Sequence, residues 1–228
     1  MKHNIMDSSN IVLSKDGSHT LFSSRFGEHY HSSFGAIQES MHIFIEAGLK
    51  SVTFQNSRLN VFEVGFGTGL NALLTFRHAL LNDFSVNYYA VEAYPVVNEV
   101  VTGLNYPVLL EVDQEVFASM HHSSGKLTAI TPFFNLALMP VRLQDVQLES
   151  DYFDIVYFDA FSPDTQPEMW SVSCFEKIYK AMKRGGVLTT YSCKGSVKRA
   201  LKSAGFDIEK LPGPPGKREF LRARKGEL

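Results

Sequence analysis

Apolar residues follow two rhythms along the 228-residue chain. Short compact runs at Leu59–Val64, Asn87–Val91, Phe153–Phe158 and Val187–Tyr191 have the length and bounding turn residues of buried strands. Leu127–Ile130 and Phe134–Leu138 read as two further strands, separated by Thr131-Pro132. Between these runs the spacing becomes helical, over Leu70–Leu81, within Val97–Met120 with a break near Pro107, over Val172–Met182 closed by Arg184-Gly185-Gly186, and over Val197–Ala204 stopped by Gly205. Phe206–Leu211 and Glu219–Arg222 read as terminal strands joined by the Pro/Gly-rich turn Pro212–Gly216. Strands alternating with helices predict an α/β fold with a mainly parallel, doubly wound sheet, and the last hairpin predicts an antiparallel edge.

Ahead of this alternation the pattern differs. Ser14–Gly35 is rich in Gly, Ser, His and aromatics without a steady period, and reads as a hairpin or irregular segment. Ala36–Gly48 carries Ile37, Met41, Phe44 and Ile45 at helical spacing. The expected organisation is an N-terminal extension over residues 1–50, a hairpin and helix packed on a single α/β domain over residues 51–228.

Composition narrows the class. An apolar content of 44% suits a globular chain. No run is long and uncharged enough for a membrane helix, and Met1–Asn10 is polar, unlike a signal peptide. The two cysteines, Cys174 and Cys193, and the histidines, including His121-His122, have no metal-ligand spacing. A cytoplasmic protein without a metal is expected. The net charge of −2 conceals a split: residues 1–182 hold 10 Lys+Arg against 20 Asp+Glu, and residues 183–228 hold 12 against 4. That basic end is either a footprint for an anionic partner, nucleic acid first among them, or a solvated face.

Candidate chemistry begins at Gly65-Phe66-Gly67-Thr68-Gly69, directly after a strand and before a helix. Alternate glycines let the backbone turn tightly and approach a ligand, and the helix start offers unpaired N–H groups. The G-x-G-x-x-G spacing of dinucleotide enzymes is absent. Glu63, two residues before the first glycine, would repel a pyrophosphate but suits the ammonium or sulfonium of S-adenosylmethionine. Glu92 ends the next strand, where a carboxylate accepts both ribose hydroxyls in nucleoside-binding folds. Asp145 follows the next strand region, either beside an adenine or as a surface acid. Asp159-Ala160-Phe161-Ser162-Pro163 closes the strand Phe153–Phe158 at its ligand-binding end. There Asp159 is the candidate catalytic residue, orienting an amine, and Phe161 could pack on a base. Trp170 either stacks a nucleobase or belongs to the core. Tyr30 lies in the polar aromatic cluster His29-Tyr30-His31-Ser32.

These motifs, taken in order, resemble the tRNA 5-methylaminomethyl-2-thiouridine methyltransferase family, the MnmC-like methyltransferase domain of standalone MnmD type. The resemblance runs from Asp16-Gly17-Ser18, Phe26-Gly27-Glu28-His29-Tyr30-His31-Ser32 and Glu39-Ser40 through the glycine loop and Glu92-Ala93-Tyr94-Pro95. It continues through Asp159–Pro163, Pro167-Glu168-Met169-Trp170, Lys194-Gly195, Lys198-Arg199 and Gly216-Lys217-Arg218-Glu219. It implies a Rossmann-like seven-strand S-adenosylmethionine-dependent methyltransferase fold with an N-terminal extension. It implies methylation of the exocyclic amine of 5-aminomethyl-2-thiouridine at the tRNA wobble position. Glu63, Gly65, Gly67, Gly69, Glu92 and Asp145 are the expected cofactor residues. Tyr30, Glu39, Phe161, Trp170, Lys194, Lys198, Arg199, Lys217 and Arg218 are the expected substrate residues, the basic ones on tRNA phosphates. Members are often fused to a flavin oxidase that prepares the amine. Here a second glycine fingerprint is absent, so no flavin is expected, and the aminomethyl group would come from a separate enzyme or from a pathway that makes it directly. Two rival readings remain. One is a small-molecule amine methyltransferase or aminopropyltransferase on the same fold. The other is a non-catalytic RNA-binding adaptor.

Overall fold

The computed structural model describes residues 10–53, 58–122 and 125–226, so the polar N-terminus up to Ser9 lies outside the described residues. Strands β1 (Asn10–Leu13), β2 (His19–Ser23) and β3 (Glu28–His29) form a small antiparallel sheet. The helix expected over Ala36–Gly48 begins as α1 (Ala36–Ser40) and continues as a π-helical stretch, Met41–Glu46, with Ile43, Phe44 and Ile45 all buried. Three consecutive buried side chains exceed the apolar stripe of an ordinary α-helix.

The alternation then follows: β4 (Arg58–Val64), α2 (Leu70–Leu81) and β5 (Ser85–Val91). In place of one interrupted helix come three short ones, α3 (Asn98–Val101), α4 (Tyr106–Leu110) and α5 (Gln114–His121). Pro107 starts a helix rather than breaking one, because it sits in the first turn of α4, where an N–H has no helical partner. The rest is β6 (Thr128–Thr131), β7 (Phe134–Met139), β8 (Phe153–Phe158), α6 (Val172–Ala181), β9 (Met182–Thr190), α7 (Gly195–Ser203), β10 (Asp207–Pro212) and β11 (Glu219–Arg224). The Gly185-Gly186 pair, expected to stop a helix, lies inside β9, whose register against β8 shifts there.

The main sheet has eight strands in the order β10-β11-β9-β8-β4-β5-β7-β6. Strands β7, β5, β4, β8 and β9 run parallel, and β11 and β10 close one edge antiparallel. The eighth strand, one more than the resemblance implied, is β6, which folds back on β7. The chain winds outward from β4 through β5 to β7, then returns to β8 and β9 on the other side. The order therefore reverses between β4 and β8, and the crevice at their carboxyl ends is where open α/β sheets bind ligands.

Strand parity assigns each side chain to a layer. Along β4, Leu59 and Val61 enter the apolar cluster that contains residues of α2, whereas Phe62 and Val64 enter the one that contains residues of α6 and α7. The second cluster is anchored by Phe175, which is fully buried with its ring centroid 4.9 Å from that of Phe158. Truncating it to alanine leaves a cavity, and Phe175→Ala should lower the unfolding free energy by about 3–5 kcal/mol. Urea denaturation followed by circular dichroism checks this, with the midpoint moving and the slope preserved.

Candidate active site

A cavity of about 570 Å³ opens at the β4/β8 crevice. Its walls include the β3 end with Tyr30, Glu39 on α1, the glycine loop after β4, the segments that follow β5, β7, β8 and β9, and Lys217 in the β10–β11 turn.

The glycine loop is shaped as much by protein neighbours as by room for a ligand. Gly65 has φ +87°, and a Cβ there would stand 2.6 Å from the carbonyl oxygen of Asp159. Gly67 has φ +51°, and its Cβ would stand 2.9 Å from the Tyr30 ring. Both positions combine a backbone conformation that glycine adopts freely with a contact no side chain fits. Gly69, by contrast, does not line the cavity. It caps the start of α2 in the left-handed conformation and faces His121.

Glu92 receives the Gly67 N–H on Oε2 at 3.0 Å and the Tyr94 N–H on Oε1 at 2.8 Å. Burial raises its carboxyl above the ordinary value, and the two N–H donors oppose that rise. Each oxygen keeps a second lone pair, the number a vicinal diol needs.

Glu63 departs from expectation. It shares strand parity with Leu59 and Val61, so it points beneath α2 and does not line the cavity. It is fully buried, accepting from Asn71 Nδ2 at 2.9 Å and from the Tyr88 hydroxyl at 2.9 Å. Burial, with Asp159 and Glu92 adding like charge, pushes its carboxyl well above the usual range. Asn71, in the first turn of α2, is the residue the sequence reading missed. Its Nδ2 also donates to Asp159 Oδ2 at 2.9 Å, so one amide joins the two carboxyl groups. With acids on both sides the amide nitrogen must face them. That leaves Oδ1, buried and without a hydrogen-bond partner, as an unused acceptor on a residue that lines the cavity.

The loop carrying Asp159 is pinned at three successive residues. Tyr191 donates its hydroxyl hydrogen to the Ala160 carbonyl at 2.9 Å. Trp170 Nε1 donates to the Phe161 carbonyl at 2.9 Å. Glu28, on β3, accepts from the Ser162 N–H at 3.1 Å and from the hydroxyls of Ser162 and Thr165. Trp170 is therefore no stacking platform. It is buried against Phe158 and Phe175 and serves the loop from below. Phe161 lies in the cavity wall, stacked on Phe26 at 4.4 Å and edge-on to Tyr30 at 4.9 Å.

Asp145 also departs from expectation. Its side chain is exposed and paired with Arg142 at 2.7 Å, and the cavity wall there is formed by Arg142, Leu143 and Gln144 instead. Of the basic candidates, only Lys217 lines the cavity, where its Nζ lies 3.0 Å from Glu39 Oε1. Lys194 lies outside and pairs with Asp164. Lys198 and Arg218 both act on Glu219, and Arg199 is exposed on α7. None of these four lines the cavity.

A family described as S-adenosyl-L-methionine-dependent methyltransferases matches residues 114–226, from α5 to β11. The bifunctional tRNA 5-methylaminomethyl-2-thiouridine biosynthesis protein MnmC of Cupriavidus metallidurans is 30% identical over 96% of this chain and 34% of its own length. That of Magnetococcus marinus is 32% identical over 89% of this chain and 32% of its own length. The crystal structure of MNMC2 from Aquifex aeolicus superposes with a TM-score of 0.72 at 23% identity, covering 97% of this chain and 72% of that one. The chain carries an MnmC-like methyltransferase domain. It spans about a third of the length of the curated relatives it matches. Spermidine synthase from Thermotoga maritima shares the fold alone, with a TM-score of 0.59 at 12% identity, covering 96% of this chain and 69% of that one. Among the described residues no helix of the domain is long and apolar enough to cross a membrane.

The methyltransferase domain carries one titration that reports on its site. Burial raises the Asp159 carboxyl from 3.8 to about 7, the negative charge of Glu39 adding to the rise and the Asn71 hydrogen bond opposing it. An unfolded chain loses this proton near 3.8, so between about pH 4 and about pH 7 the native state binds more protons than the unfolded one, and stability falls as pH rises. Asp159→Asn should lack that fall. In thermal melts of the cofactor-free protein, the melting temperature of the variant minus that of wild type should grow from about pH 4 to about pH 7 and then level off. A difference independent of pH would contradict the buried titration.

Proposed function

We propose that this domain transfers the methyl group of S-adenosyl-L-methionine to a primary amine on a tRNA base, the aminomethyl group of a wobble 5-aminomethyl-2-thiouridine. The observation that carries the reading is one cavity lined by two unlike groups of residues: the glycine loop with Glu92, and the acids Asp159 and Glu39 with Tyr191. The names of the MnmC relatives support the wobble-uridine identity of the acceptor.

The residues present fit the cofactor. Glu92 would hold its ribose hydroxyls, Gly65 and Gly67 would let its amino-acid portion lie against the backbone, and the unused Asn71 Oδ1 would accept from its ammonium group. When bound, it supplies an electrophilic methyl group on a sulfonium. Everything else falls to the chain. A primary alkylamine is mostly protonated at neutral pH, with an ordinary pKa near 10. Asp159, fixed by Asn71 and by the pinned loop, accepts an N–H from the amine and directs its lone pair. Desolvation in the cavity favours the neutral amine. Alignment of nucleophile and methyl then supplies most of the rate.

Lys194, Lys198, Arg199 and Arg218, outside the cavity, are the proposed phosphate contacts. A tRNA substrate implies action in the cytoplasm.

Incubating tRNA that lacks the terminal methyl with the protein and labelled cofactor, followed by mass analysis of wobble nucleosides, tests the reaction. Label should enter 5-aminomethyl-2-thiouridine, and free polyamines should not compete as acceptors. Asp159→Ala should reduce turnover roughly a hundredfold or more while calorimetry still detects cofactor binding. Near-wild-type methylation by that variant would remove Asp159 from the mechanism. Replacing the four outer basic residues together should weaken tRNA binding and flatten its dependence on log salt by about 0.7–0.9 per lost phosphate contact.

A further inference from the structure

Lys217 sits where the cavity would otherwise receive a cation. The turn between β10 and β11 carries it inward, and Gly216, at φ +85°, allows this because a Cβ there would stand 2.3 Å from the Phe34 ring. Lys217 Nζ then meets two acceptors of positive charge. Glu39 Oε1 lies 3.0 Å away, and the Tyr191 ring centroid lies 4.3 Å away. Glu39 is buried, and its other oxygen is committed to the Ser32 N–H at 2.8 Å, so Oε1 has the lysine as its counter-ion. Tyr191 is held in orientation by its hydroxyl's bond to the Ala160 carbonyl. Asp159 completes the surroundings, since it lines the same cavity as Glu39, Tyr191 and Lys217. Two carboxylates and an aromatic face around one ammonium make a cage for an alkylammonium ion.

We infer that Glu39, Tyr191 and Asp159 form an alkylammonium subsite that Lys217 fills in the free protein and that the ammonium of the acceptor substrate takes over. The inference deepens the proposed function and rests on its reading of the acceptor as a primary amine. Without a substrate, the lysine satisfies Glu39, whose buried charge would otherwise stand unpaired. An incoming aminomethyl group arrives protonated, matches the same partners and displaces Lys217 from Glu39; it gives up one proton to bulk water before it attacks the methyl group as a neutral amine. The exchange conserves charge: one ammonium replaces another beside Glu39. The substrate amine is then next to Asp159. A neutral or anionic group of the same size gains nothing from the exchange, which gives the site its selectivity for amines.

The probe is methylammonium, whose binding is followed by saturation-transfer NMR with the full chain and no tRNA. Wild type should bind it weakly, because Lys217 competes. Lys217→Met should bind it at least about tenfold more tightly, and Lys217→Ser should behave alike, which guards against a packing effect of the methionine. Adding Glu39→Gln to Lys217→Met should abolish the gain, and sodium chloride at equal ionic strength should not compete. Equal affinity in wild type and in both single variants, or a gain that survives Glu39→Gln, would overturn the inference. Because this readout needs no methyl transfer, it separates from the proposed function. If wobble nucleosides stay unmethylated while Lys217→Met gains methylammonium affinity, the subsite stands and the tRNA reading fails. If methylation proceeds while no variant gains affinity, the tRNA reading stands and the subsite fails.

Discussion

One side-chain amide organises this site. Asn71 Nδ2 spends its two hydrogens on Glu63 and Asp159, and both acceptors lie in or beside low-dielectric surroundings. A buried carboxyl without a donor is costly, so the amide helps to make the Glu63 position tenable. The same amide fixes Asp159 relative to the start of α2, and therefore relative to the glycine loop. Tyr88 completes the chain of contacts by donating to Glu63 from β5. The acid at the end of β8 is thus tied to β4, and through Glu63 to β5, by one residue of the helix that joins those two strands.

Around that link the site is rigid by construction. The carbonyls of Ala160 and Phe161 are held by Tyr191 and Trp170, and Ser162 is held by Glu28. The last of these bonds reaches across from the small N-terminal sheet, so β3 helps to fix the loop after β8. Tyr30 under Gly67 and Phe26 on Phe161 extend the same seam with aromatic contacts. Preorganisation of this kind suits a reaction whose rate depends on alignment rather than on a strong acid or base.

Much of this was legible from local pattern. Compact apolar runs placed β4, β5, β7 and β8 within a few residues, because burial on both faces leaves an unbroken apolar signal, and the Pro/Gly-rich turn placed the two terminal strands. What local pattern misjudged has identifiable causes. The segment Val97–Met120 broke into three helices because Pro107 is tolerated in a first helical turn as readily as it breaks an interior one. The glycine pair at 185 and 186 reads as a helix stop but lies inside a bulged strand, since either use fits a glycine pair. Glu63 was assigned to the ligand from its distance to the glycines, although its parity with Leu59 and Val61 was available and points it inward. Asn71 carried no signal beyond its place in the first turn after the glycine loop.

By itself, then, the sequence determined the alternation of strands and helices, the crevice where the chain order reverses, and the presence there of a glycine turn, Glu92 and Asp159. These follow from periodicity and from the backbone freedom of glycine, which are properties of neighbouring residues. Only the tertiary structure decided which side chains share the cavity. It turned Asp145 outward to Arg142, moved Trp170 into the core, and separated Lys217 from the other basic residues by carrying it in to Glu39. Glu39 and Lys217 stand far apart in the chain, and their meeting depends on how the N-terminal helix and the last hairpin pack. No local pattern encodes such a contact, because it arises from the summed packing of every element between them.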